Sequence, residues 1–163
     1  MVNHFVIIEF YTYTVQGAII ALPNGLLTYK MLTKRSLRKS YSIILWQVFV
    51  NAFLGVTQLI AGVIRLTILY STNQQEYRSR SFCILMPWNL MSSWGEPMVA
   101  ICLLMVSIDR LIALIAPITY FKHSSQLQSV QLIAWNLFLL SITLPNWYFS
   151  LVETNVFISN FCW

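Results

Sequence analysis

SIDRLIALIAPITYF, residues 107–121, closes an apolar run that begins at Met98 (MVAICLLMVSI, residues 98–108). Asp109 and Arg110 sit side by side at the end of that run, and Pro117 and Tyr120 follow. A charged pair inside such a run is costly unless it lies at an edge. Met86 to Asp109 is 24 residues, which as a helix measures about 35 Å, close to a bilayer hydrocarbon core of about 30 Å. The pair therefore marks the end of a membrane-spanning helix, where charge reaches water. The helix can continue to Ala116, and Pro117 then favours a stop or a turn.

Composition supports a lipid solvent. Hydrophobic residues make up 58% of the 163, charged residues 9%, and the mean hydropathy is +0.67. A globular domain has about 25% charged residues, and a chain this short cannot hide so much apolar surface in a water-facing core. The net charge of +5 is carried by short clusters, which argues for a membrane surface and against nucleic acid. Cys83, Cys102 and Cys162 show no CxxC spacing, which argues against a zinc or redox motif. The amino-terminal stretch has neither a basic region nor a small-residue cleavage site, so the first span is expected to act as its own insertion signal.

Four stretches reach the roughly 20 apolar residues that a spanning helix needs. They run from about Phe5 to Met31, Ser42 to Tyr70, Ile84 to Ala116 and Leu127 to Leu151. The expected fold is all-α: a bundle of four transmembrane helices joined by short segments. Lys30, Lys34, Arg35, Arg38, Lys39, Arg110 and Lys122 lie on one face, against Arg78 and Arg80 on the other. Cytoplasmic segments carry the excess of Lys and Arg, so both termini are expected outside the cell. An even number of spans with both ends outside is what a larger bundle ending after its fourth helix looks like.

The motif resembles the third-helix end of rhodopsin-like seven-transmembrane G-protein-coupled receptors. That family has an acid-Arg-aromatic triplet, a Pro seven residues after the Arg and a Tyr ten after it. Arg110, Pro117 and Tyr120 keep those separations, while Leu111 replaces the aromatic residue. Trp135 and Pro145 match a fourth-helix pattern, and Asn24 in LPNGLL (residues 22–27) matches a first-helix Asn. Asn51 stands near the place of a second-helix Asp that binds sodium in the family, which puts that metal site in doubt. The divergent second and third helices are similar to nematode serpentine chemoreceptors. The resemblance covers the whole chain but only four of seven helices, a partial receptor domain over residues 1–163.

The resemblance implies an orphan chemosensory receptor of the plasma membrane, with a ligand in the bundle and a heterotrimeric G protein as partner. It implies that Asp109 holds Arg110 at rest and that a disulfide joins Cys83 to Cys162. No cofactor is implied. Glu96, 13 residues before Asp109, lies about 20 Å along the helix where the family's pocket is lined. An intramembrane acid is a functional candidate, though a protonated Glu bracing the bundle reads equally well. Arg65 is a second candidate, against simple snorkelling to the interface. Trp94 is a third, beside Trp88, Trp147 and Tyr148, which an interfacial aromatic belt also explains. Pro97 is either a hinge or a tolerated kink. Asn24, Asn51 and Trp135 read as interhelical packing or hydrogen-bonding positions. Lys34, Arg35, Arg38 and Lys39 suit orientation and anionic lipid.

Two other classes stay open. One is a self-contained four-span adaptor or a channel or transporter subunit, although a pore wants more polar faces than Glu96 and Arg65 provide. The other is a truncated receptor isoform that associates with full-length partners. An enzyme is not expected: His4 and His123 fall on opposite faces, and no catalytic set, metal cluster or phosphate-cradling loop is apparent in the sequence.

Overall fold

The computed structural model describes residues 4–71, 77–152 and 157–159. Within them the chain runs through helices α1 (His4–Thr33), α2 (Arg35–Ser40) and α3 (Ser42–Ser71), then strand β1 (Tyr77–Ser79). Helices α4 (Arg80–Ile84), α5 (Pro87–Ile115) and α6 (Pro117–Val152) follow, then strand β2 (Phe157–Ser159). Four helices, α1, α3, α5 and α6, are long and apolar enough to cross a membrane. Lipid offers no partner to a bare backbone amide, so each segment satisfies its own peptide groups as a helix. The fold is an all-α transmembrane bundle, with one small addition at its rim. β1 and β2 pair antiparallel, Arg78 opposite Ile158, and tie together the two polar segments at that end.

The joints differ from plain loops. The first contains the short helix α2. Pro117 does not simply stop a helix: α5 ends because Ala116 leaves helical geometry, and Pro117 begins α6. Both effects come from the proline ring, which disfavours helix in the preceding residue and suits the first helical position. The segment expected to loop between the third and fourth spans is therefore helical, and the bend falls at His123 (φ −123°, ψ 16°).

Two interfaces build the bundle. Ile43 and Val50 of α3, Met98, Cys102 and Met105 of α5 and Leu139 of α6 form the buried core, with Trp46, Trp94 and Trp135 packed around it. Helix α1 docks on α3 through a backbone-to-backbone seam. A Cβ added to Gly17 would lie 2.5 Å from the Leu59 backbone nitrogen, and one added to Gly55 would lie 2.6 Å from that of Ala21. Without a hydrophobic drive between helices, lipid-embedded segments gain attraction by close approach, which small residues permit.

Polar side chains within the spans bond mainly to their own helix. Thr14, Thr28, Thr57 and Thr143 each donate to the carbonyl four residues back, at 2.8–3.0 Å. Asn24, expected at an interhelical position, donates to the Ile20 carbonyl at 2.8 Å. Trp135 packs edge-on to Phe138 with centroids 5.7 Å apart, and Asn51 is half-buried on α3.

Candidate functional site

Helix α5 carries two polar centres, one near each end. The first lies at the basic end of the bundle. Asp109 is 7% exposed, and its two carboxylate oxygens accept from the Tyr120 hydroxyl at 2.9 and 3.0 Å. The Asp109 side chain is thus held by a residue in the first turn of α6, eleven positions on, and not by the adjacent Arg110. Neighbours on a helix point about 100° apart, so Asp109 faces inward while Arg110 is exposed. Leu111 is 54% exposed, turned away from this cluster. Pro117 sets the position of Tyr120 by starting the helix that carries it.

Gln128 completes the cluster. It is 5% exposed, and its Nε2 donates to the Tyr120 oxygen at 3.4 Å. The Tyr120 proton is committed to Asp109, so its oxygen is the acceptor in that contact. Gln128 Oε1 is buried with no hydrogen-bond partner. A cavity of about 40 Å³ beside it is lined by Tyr41, Asp109, Arg110, Tyr120 and Gln128, large enough for an ordered water. Sequence reading missed Gln128, one of several polar residues (Gln126, Gln128, Ser129 and Gln131) at the edge of an apolar span.

The second centre is a cavity of about 210 Å³ in the other half of the bundle, lined by Tyr13, Gln58, Ala61, Arg65, Trp88, Asn89, Ser92 and Glu96. Gln58, Ala61 and Arg65 recur at helical spacing on α3, and Trp88, Ser92 and Glu96 do so on α5. Arg65 is 7% exposed, with its guanidinium 5.8 Å from the centroid of the Tyr13 ring. Trp88 is 8% exposed. Its indole Nε1 and the Gln58 Oε1 are buried without a hydrogen-bond partner. Asn89 is fixed by its 2.8 Å bond to the Cys83 carbonyl. The cavity therefore presents a cation, a carboxylate, an N–H donor and an amide oxygen, a set suited to holding a small polar molecule.

Trp94 does not join this cavity. It meets Phe53 at 5.7 Å and Trp46 at 6.5 Å, both edge-on, against the core. Residues two positions apart on a helix point about 200° apart, so Trp94 and Glu96 cannot face the same way. Pro97 and Pro145 lie inside α5 and α6 on exposed surfaces. Tyr148 is exposed, whereas Trp147 donates from Nε1 to the Ser93 hydroxyl at 2.7 Å and so links α6 to α5. Trp147→Phe is expected to lower stability by about 0.6 kcal/mol, the average for interhelical bonds in lipid, and by no more than about 1.7. Thermal unfolding in detergent would register the difference.

Cys83 is buried at 4% exposure, and Cys162 lies outside the described residues. Cys102 is a free, buried thiol in the core. No group of three or more His, Cys, Asp or Glu that could hold a metal ion is present among the described residues.

A family model described as the serpentine type 7TM GPCR chemoreceptor Srbc matches residues 1–162. No curated protein and no solved structure matches the chain.

Proposed function

The chain belongs to the serpentine type 7TM GPCR chemoreceptor family Srbc, and from that membership we propose that it works as a chemosensory receptor at the plasma membrane, with its amino terminus outside the cell. Its ligand occupies the cavity around Arg65, Trp88 and Glu96, and a heterotrimeric G protein meets the basic end. The Asp109–Tyr120 bond carries this reading. It joins the end of the helix that lines the ligand cavity to the start of the next helix, at the face where the partner docks. Such a bond is a two-state element: made, it holds α5 and α6 together, and broken, it frees the Asp109–Arg110 end to rearrange. Ligand at Glu96 biases the same helix about 20 Å away.

The proposed disulfide between Cys83 and Cys162 fits the rim of the cavity. The β1–β2 ladder brings the segments before Cys83 and before Cys162 together, and Asn89 ties α5 to the Cys83 carbonyl. Cleaving the protein at a site introduced between these cysteines, with and without reductant, tests the pairing.

The experiment for the function has two parts. One reads the message past the codon for Trp163. Three further apolar spans in frame support the receptor, and a stop codon in translated message there favours an adaptor or a partner-trapping isoform. The other expresses the full open reading frame with a heterotrimeric G protein and measures nucleotide exchange. Exchange no higher than in cells lacking the receptor, under any ligand in a broad odorant panel, counts against coupling.

A further inference from the structure

We propose that Lys30, Lys34, Arg35 and Arg38 form a docking site for the anionic phospholipid headgroups of the bilayer that holds the helices. All four are exposed, at the end of α1 and along α2. Among the described residues the acids are Glu9, Glu96 and Asp109, and of these only Asp109 lies at this end. Asp109 is buried, and both its oxygens accept from Tyr120. Glu9 lies 21 residues before Lys30, about 30 Å away along α1, and Glu96 belongs to the other half of α5. Among the described residues, the four cations therefore have no acid to neutralise them.

Helix dipoles account for only part of this placement. Lys30 stands in the last turn of α1, where a cation suits the helix dipole. Lys34 and Arg35 stand at the amino end of α2, where a cation opposes it. With no counter-charge beside them among the described residues, a source outside the chain fits the cluster. Lipid fits better than an acidic protein because large apolar side chains flank the cations. Tyr29 is 68% exposed, Leu32 49% and Tyr41 45%. Those groups seek the acyl region, which sets the cations at headgroup depth, where basic side chains attract anionic lipid.

The test uses the whole chain in bilayers of phosphatidylcholine with phosphatidylserine. Electron spin resonance of spin-labelled lipids reports which lipid is held at the protein surface. At low salt the expected preference for phosphatidylserine over phosphatidylcholine is roughly fivefold or more. Lys30→Gln, Lys34→Gln, Arg35→Gln and Arg38→Gln together should bring it close to unity. Lys122→Gln, a single change in the other joint, should leave most of it in place. An unchanged fraction of immobilised phosphatidylcholine shows that the variant is folded. Should the quadruple variant not fold, salt decides with the native chain: screening shortens to about 3 Å at 1 M, and the preference should fall away. Equal association of the two lipids with the native chain, or a preference that survives both the substitutions and the salt, overturns the proposal. Equal association would leave the cluster to membrane orientation or to an acidic protein.

Discussion

Replacing Gly55 by valine is expected to separate helix α1 from helix α3. The first atom of the new side chain would already lie 2.6 Å from the Ala21 backbone nitrogen and 3.0 Å from the Gly17 carbonyl oxygen. Both neighbours are backbone, so no rotamer change makes room. Overpacking of this kind costs about 1–3 kcal/mol, sometimes more, and Gly17→Val on the facing helix should act in the same way. The two substitutions share one seam, so their combined effect is not a simple sum. Gly25 supplies the control, because nothing lies within 4 Å of an added Cβ. Gly25→Ala should be neutral or stabilise by about 0.5–1 kcal/mol through helix propensity. Melting temperatures in detergent for the three variants check the pattern. Equal changes at Gly55 and Gly25 would show that close approach does not set the effect.

Tyr120→Phe is expected to bias the basic end toward its open arrangement. The change deletes one hydroxyl and leaves the ring. Asp109 then keeps its burial but loses the donor shared by both its oxygens. A hydrogen bond to a charged group contributes about 1.5–3 kcal/mol, enough to shift a two-state equilibrium roughly 10- to 100-fold. Under the proposed coupling to a G protein, basal nucleotide exchange should rise by a comparable factor when the resting state dominates at the outset. Asp109→Asn keeps an acceptor but removes the charge, and should produce a smaller rise. Gln128→Leu should produce the smallest, since its 3.4 Å contact supports the tyrosine and not the acid. Unchanged basal exchange in Tyr120→Phe would mean that the bond is structural only.

The spans were legible because lipid demands a simple signal: about 20 apolar residues with charge at the ends. Their limits were less so. A proline reads as a break from either side, and only the structure shows that Ala116 breaks while Pro117 begins. The bend at His123 has no proline or glycine to announce it. The β1–β2 ladder is three residues long on each side, too short for alternation to emerge from a polar segment. Within the site, the family resemblance singled out Tyr120 by its spacing from Arg110 and implied that Asp109 holds Arg110; in the structure the Tyr120 hydroxyl donates to Asp109 instead. Periodicity on α5 could have excluded Trp94 from the Glu96 face, and periodicity on α3 could have added Gln58 to Arg65. Tyr13 needed the docking of α1, which no pattern within α1 reveals.

The threonines and asparagines that bond to carbonyls of their own helix have a consequence for biogenesis. Each span enters the bilayer with these donors already matched within its own helix. It therefore needs no neighbour in place when it leaves the translocation machinery, and the helices can be delivered one after another in the order of synthesis. Association comes afterwards, as a separate stage driven by shape. The quality of the glycine seam then governs how long newly made chains wait, inserted but unassembled, within reach of membrane proteases.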